Sequence, residues 1–318
     1  AVRRRPRRHR SAGAPRRVSE RRRAPALLLL VAAASLALIG GVTALSEAGD
    51  DEPDAAVPVP ADAGLGPQGR VPQFKVECEW SHAAPDDPIV HPGAPGRSHL
   101  HDFFGNIATD AHSTAEALLA TDTTCQNRQD TAAYWAPALR RGGVPVVPTG
   151  AAAYYRAGPG VDPTSVRPYP AGLMMLAGDP TATGPQEPTV AAWHCGASPM
   201  LAGEPEWCPE TAPLGVRIAF PDCWDGERLD SDDHRAHVAR SQGGHCPSGH
   251  PVPIPQLVLE VHYPIVGDPA GLELASGGVH SVHADFLNSW DQVALEREVR
   301  VCLNGGKVCG VVSNRATG

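Results

Sequence analysis

Imidazole and carboxylate side chains crowd three short phrases of this sequence. They are Ser98-His99-Leu100-His101-Asp102-Phe103-Phe104-Gly105-Asn106, Asp230-Ser231-Asp232-Asp233-His234-Arg235-Ala236-His237 and His280-Ser281-Val282-His283-Ala284-Asp285. Both groups bind metal ions and move protons near neutral pH. Only His9 of the 14 histidines lies before residue 80, so the chemistry belongs to the later part of the chain. In an extended segment His99 and His101 point to one side. Two adjacent imidazoles chelate one divalent metal, with Asp102 as a partner that orients a ring. The plainer reading is two loop histidines that only hydrogen-bond. His234 and His237 are spaced as neighbours on a helical turn, and a metal set of His99, His101, His234 and His237 is the resulting expectation. The alternative for the second phrase is an acidic helix N-terminus. In the third phrase a strand would turn Val282, Ala284 and Phe286 inward and present His283 and Asp285 together. They are then a base with its orienting acid, or a metal pair, unless that face is merely solvated. His101, Asp102, His283 and Asp285 are the candidate catalytic groups.

Positioning these groups needs rigid elements. Phe74, Val76, Cys78 and Trp80 alternate with polar residues, as do Val216, Ile218 and Phe220, which predicts half-buried strands. Leu257, Leu259, Val261 and Tyr263 form one face of another strand, with Glu260 and His262 opposite. Residues 172–177 are a short apolar run, read as a buried strand. Ser113-Thr114-Ala115-Glu116 is a capping box opening a short helix. Residues 290–303 carry a helical pattern through Leu295, Val299 and Cys302. With 33 Gly and 33 Pro, elements must be short and loops long. The expected fold is mainly β (α+β), a twisted antiparallel sheet or sandwich with few short helices. The loop Phe220-Pro221-Asp222-Cys223-Trp224-Asp225-Gly226 is expected to be rigid. An exposed Trp224 there would stack on a sugar, with Asp225 and Asn106 as polar substrate contacts; a buried Trp224 is the alternative.

Charge and cysteine usage bound the compartment. Residues 1–23 hold 11 Arg and one acid and read as a basic cytoplasmic tail. Residues 24–45 include an uncharged apolar run, Ala26 to Leu45, long enough to span a bilayer. The Arg cluster would stay inside and send the rest outward. A signal-anchor is favoured by the length of the run over a signal peptide cut near Ala44-Leu45-Ser46. Residues 46–70, rich in Ala, Pro and acids, read as a flexible linker, and 71–318 as an extracytoplasmic domain. From Ser46 onward 16 basic residues face 34 acidic ones, a net of −18. Such a surface argues against nucleic acid and broad anionic polymers and leaves room only for a local Arg patch. The eight cysteines lack any Cys-x-x-Cys and imply four disulfides outside the cell, with a thiolate zinc site as the alternative. Eight cysteines allow 105 connectivities; proximity favours Cys195–Cys208, Cys223–Cys246 and Cys302–Cys309, which leaves Cys78–Cys125.

No His-Glu-x-x-His, Gly-x-Ser-x-Gly, Walker or dinucleotide signature occurs. The phrases Asp87-Pro88-Ile89-Val90, Ser98 to Asn106, Phe220 to Gly226, Leu229-Asp230-Ser231, Asp233-His234, Cys246-Pro247, His250-Pro251 and His283-Ala284-Asp285-Phe286 together resemble the secreted family called domain of unknown function 1996. The resemblance spans about residues 74–303. The family occurs in fungi and actinobacteria, and its fungal members sometimes carry carbohydrate-binding or wall-sensor modules. It implies a cell-wall or polysaccharide setting, and no activity. The combined expectation is metal-assisted or acid–base cleavage of an extracellular glycan. The alternative is a non-catalytic surface module that binds glycan or serves the envelope structurally. Protease added to intact cells should release the domain by cutting within 46–70; protection until lysis would contradict the orientation.

Overall fold

The computed structural model describes residues 71–198 and 200–312. The 1–23 tail, the 24–45 apolar run and the 46–70 linker lie outside the described residues. Among the described residues no helix is long and apolar enough to cross a membrane.

The fold is mostly β, and two sheets dominate it. We number their strands β1 (Gln73–Cys78), β2 (Trp80–Ala84), β3 (His101–Gly105), β4 (Ala133–Pro137), β5 (Gly150–Arg156), β6 (Met174–Gly178), β7 (Ala191–Cys195), β8 (Leu214–Ala219), β9 (Gln256–His262), β10 (His283–Leu287) and β11 (Val308–Val311). The six-stranded sheet runs β11-β1-β5-β9-β8-β7 and the five-stranded sheet β2-β3-β4-β10-β6. Pairing is antiparallel except between β1 and β11. Two three-stranded sheets complete the β structure among the described residues.

Alternation decides what each face does. Phe74 and Val76 of β1, Ile218 of β8 and Leu257 and Leu259 of β9 face the interior of the six-stranded sheet. Phe104, Tyr134, Phe286 and Met175 of the five-stranded sheet join the same buried cluster. One core therefore lies between the two sheets. The other face of the five-stranded sheet is covered too. Phe103, Trp135, Ala133 and Leu287 pack there under Ile89 and Leu118. Leu118 is carried by α1 (Ala115–Leu119). A sheet with both faces covered leaves few places for polar side chains except where they have partners.

A polar chain joins the sheets through the core. Trp290 Nε1 donates to Tyr155 Oη at 3.0 Å, the Tyr155 and Tyr134 hydroxyls are in contact, and Tyr134 donates to Asp130 Oδ2 at 2.8 Å. Tyr155 also stacks on Phe74, with ring centroids 4.6 Å apart.

The disulfides are Cys78–Cys125, Cys195–Cys208, Cys223–Cys246 and Cys302–Cys309. Among the described residues no cysteine is free, which removes the thiolate zinc alternative. The 290–303 pattern is the helix α2 (Gln292–Glu298), prolonged by a π-helical turn over Val299–Asn304. Four local expectations are corrected. Trp80 does not continue β1: the chain breaks at Glu79, where Cys78 is tied to Cys125, and Trp80 opens β2 in the other sheet. The cap of α1 is Thr114, whose Oγ1 accepts from Ala117 N at 3.3 Å, because Ser113 Oγ is already engaged by Asp110 N at 2.8 Å. Residues 172–177 do not form a fully buried strand: β6 begins at Met174 and alternates, since its outer side flanks a cavity. Residues 230–237 form turns rather than a helix. Asp233 Oδ1 accepts from Arg235 N and Ala236 N, and His234 adopts φ 56°.

Burial pushes the Asp130 carboxyl up to about 8, against the bonds from Tyr134 and Ala132. Its folded value lies above its unfolded one, so its stabilisation is complete below about pH 4 and is lost as pH rises through 8. Urea unfolding of the full chain and of Asp130→Asn at pH 5 and pH 8.5 should show the native chain losing stability relative to the variant at the higher pH. A constant difference between the two would contradict the assignment.

Candidate functional site

The site sits on the outer face of the five-stranded sheet. On β3, His101 and Phe103 point outward while Asp102 and Phe104 point into the core side. On β10, His283, Asp285 and Leu287 point outward while Ala284 and Phe286 point inward. Strand β4 lies between them. His101 is opposite Pro137, and Asp285 is opposite Trp135, two residues before the proline. His101 and His283 thus stand on strands flanking β4, and their rings lean over the proline to a centroid separation of 5.9 Å. The loop before β3 adds His99, with its ring 4.2 Å from that of His101 and 5.0 Å from that of His283. The Asp87-Pro88 turn adds a second acid. Asp87 Oδ1 accepts from Ile89 N at 3.0 Å and Val90 N at 2.9 Å, which fixes the carboxyl.

Hydrogen bonds set the ring tautomers. His101 Nδ1 donates to the Asp86 carbonyl at 2.9 Å and His283 Nδ1 to the Ser281 carbonyl at 2.8 Å. A carbonyl only accepts, so both rings carry the proton on Nδ1 and turn a bare Nε2 toward the cluster. His99 Nε2 lies 3.2 Å from His283 Nε2. Two imidazole nitrogens on one tetrahedral zinc are about 3.3 Å apart. The ligand-capable atoms of His99, His101 and His283 lie within 4.8 Å of one another, and those of Asp87, His101 and Asp285 do likewise. His101, 0% exposed, and Asp285, 1% exposed, each keep one buried polar atom without a hydrogen-bond partner, Nε2 and Oδ2 respectively. A cation would give His101 Nε2 the partner it lacks.

Electrostatics agree with that donor set. Burial, then Arg140 and His91, lowers His99 to about 4. Burial lowers His283 to about 4, opposed by its bond to Ser281 and reinforced by His99. Burial, then His99 and His283, holds His101 well below its ordinary value. All three imidazoles are neutral at pH 7, the state in which they bind metal. Burial and then Asp87 raise Asp285 well above the carboxylate range, and burial raises Asp87. A cavity of about 250 Å³ opens onto the cluster, lined by Asp87, His99, His283 and Asp285 with Arg97 and Arg235. Gly178, opposite His283 at φ 81°, closes the strand pair there; a Cβ would collide with the Val282 carbonyl.

The family description "Domain of unknown function (DUF1996)" matches residues 87–290. The chain belongs to the DUF1996 family. No curated protein and no solved structure matches it. The matched span of this DUF1996 domain contains every group of the cluster.

The remaining sequence-derived positions lie elsewhere. Asp102 does not orient His101. It faces the other side of β3, where Oδ1 accepts from Trp80 Nε1 at 2.8 Å and burial raises its carboxyl to about 6. Adjacent strand residues cannot share a face, and the Asp86 carbonyl does the orienting instead. His237 is fully buried with both nitrogens engaged, by Ser231 Oγ at 3.0 Å and the Met174 carbonyl at 2.7 Å. His234 pairs with Asp230 at 2.9 Å. Neither ring is within the three-imidazole group. Asn106, fully buried, donates to the Leu118 and Thr131 carbonyls and to Thr121 Oγ1. Asp225 bonds Glu227 N, Arg228 N and Arg228 Nε. Trp224 packs on the core and donates to the Arg228 carbonyl at 2.6 Å. All three hold turns in place. Asp87 and the cavity arginines were missed by sequence reasoning, although Asp87-Pro88 carries a turn signal.

The folded value of His283 lies below its unfolded one. Its stabilisation is therefore present above about pH 6.5 and is lost as pH falls toward 4, by at most about 3 kcal/mol. Denaturation of the metal-free chain and of His283→Asn at pH 7 and pH 4.5 should show the native chain losing ground to the variant in acid. Equal losses in the two chains would contradict the lowered value.

Proposed function

We propose that this domain binds a divalent metal of the zinc type through His99, His101 and His283, beside the carboxyls of Asp87 and Asp285, and uses it in cleaving an extracellular or cell-wall polysaccharide. The observation that carries the metal is the convergence of Nε2 atoms on rings whose Nδ1–H groups are held by backbone carbonyls. Fixing the far nitrogen of a ligand histidine in this way is usual at metal centres. When bound, such an ion supplies a polarised water at neutral pH. Asp285, whose burial beside Asp87 favours the protonated form, is placed to exchange a proton with the glycosidic oxygen or the attacking water. The glycan assignment rests on the extracytoplasmic setting indicated by the disulfides and on an acidic surface that disfavours nucleic acid. The domain would work outside the cell, tethered through residues 24–45 or released by cleavage there. A second reading, a non-catalytic glycan-binding surface, is favoured by Trp207, which is 65% exposed beside the Cys195–Cys208 disulfide.

Elemental analysis and calorimetric zinc titration of the full chain should give one ion per molecule. His101→Ala and His283→Ala should each weaken zinc at least about 100-fold with the thermal transition retained. Asp102→Asn should leave the affinity unchanged. A wall-glycan digestion screen should show cleavage that chelator abolishes and that His101→Ala lowers about 10²–10⁴-fold. A chain that takes up no divalent ion would overturn the metal reading. Stoichiometric zinc without any cleavage would leave the binding surface ahead.

A further inference from the structure

We infer that the substrate entering this cavity carries an oxyanion (phosphate, sulfate or carboxylate) and that Arg97 and Arg235 hold it. The inference rests on the metal reading of the same site and adds the chemical class of what is recognised. Both arginines line the cavity that exposes His99, His283 and Asp285. Arg235 is anchored: its Nη2 donates to the Gly178 carbonyl at 2.9 Å, and Gly178 is the strand partner of His283. One edge of the guanidinium is thereby fixed beside the imidazole cluster, and its other donors have no partner among the described residues. Arg97 makes no side-chain hydrogen bond or ion pair among the described residues. A third guanidinium, Arg140, lies near His99 and keeps its buried Nε unpartnered.

Asp179 and Asp285 lie within electrostatic reach of Arg235, yet none of the acids at the cavity takes a hydrogen bond or forms an ion pair with Arg97 or Arg235 among the described residues. Asp179 accepts from Thr181 N at 2.8 Å and Thr181 Oγ1 at 2.7 Å, and Asp230 is paired with His234. Unpaired guanidinium donors around a cavity match the planar fork that binds oxyanions. On a chain with net −18 after residue 45, the cavity gathers two guanidinium groups whose free donors can receive an anion. A polyanion running on past the cavity would lie against the acidic surface, within the roughly 10 Å over which charges act at ordinary salt, so the site suits an anionic substituent on a mostly neutral chain rather than a polyanion.

The test uses the full zinc-loaded chain with methylphosphonate, sulfate and acetate as probes, titrated calorimetrically. The native chain should bind at least one of them, and Arg97→Gln with Arg235→Gln should weaken it at least tenfold while zinc affinity is unchanged. Arg97→Gln alone, which removes no internal contact, should weaken it severalfold and guards against misfolding of the double variant. A preference for acetate supports a carboxylated glycan, and a preference for the tetrahedral anions a phosphorylated or sulfated one. Equal affinity in all three chains, or no binding to any, overturns the inference. If zinc fails to bind the native chain, the metal reading falls instead. The same titration on the metal-free chain then decides the arginines: binding lost in the variants supports them, and binding unchanged or absent overturns them.

Discussion

The contact between the Tyr134 and Tyr155 hydroxyls deep in the core governs much of what happens at the surface. It joins one strand of each sheet and is completed by Trp290 on one side and Asp130 on the other. Once Tyr134 is committed inward, its strand neighbours Ala133 and Trp135 must point outward. The pairing of β4 with β3 and β10 then forces His101, Phe103 and Asp285 out on the same side. A one-residue slip would bury the chemistry in the inter-sheet core and expose Phe104 and Phe286. The inner polar stitch and the outer cluster are two results of one register.

The outer cluster is unusual in how little solvent it keeps. His101, His283, Asp87 and Asp285 are buried, and His99 alone of the five is partly exposed, at the mouth of the cavity. Burial is the largest cause that keeps the rings neutral and pushes the acids toward protonation, reinforced by neighbouring charges. Near neutral pH the raised carboxyls of Asp87 and Asp285 cost folding energy, because an unfolded carboxyl ionises more readily, whereas the lowered imidazoles cost it only in acid. Leaving His101 Nε2 and Asp285 Oδ2 without partners adds to that cost. Structures that retain such strain-bearing polar groups do so at functional sites more often than elsewhere. A divalent ion bound by the three imidazoles would give His101 Nε2 the partner it lacks, and this is the physical case for a metal.

Strand periodicity made part of this arrangement legible in the sequence. The period-two pattern at residues 281–286 separated His283 and Asp285 from Val282, Ala284 and Phe286, and the two faces of β10 follow it. The same rule, applied to His101 and Asp102, would have placed them on opposite faces; adjacency in sequence was misleading there. The fold class and the disulfide pairing followed from composition and proximity. The roles of Asp87, Arg97 and Arg235 did not, because their significance comes from a loop folding over a sheet. His237 shows the converse. Its spacing from His234 suggested a shared role, but its ring is spent on the Met174 carbonyl, 63 residues away. Histidine spacing carries information only when the local backbone is known, and residues 230–237 are turns.

The disulfides divide the cluster's supports into two kinds. Cys78–Cys125 encloses Asp87, His99 and His101 in one covalent ring, and Cys223–Cys246 encloses Arg235 in another. A single peptide cut inside either ring leaves both ends attached, so the loops that carry these groups tolerate nicking without being lost from the molecule. His283 and Asp285 lie in no such ring. They are held instead by backbone ladders on both sides of β10. In a protease-rich exterior, the loop-borne half of the site is thus kept by covalent closure and the strand-borne half by its place within a sheet.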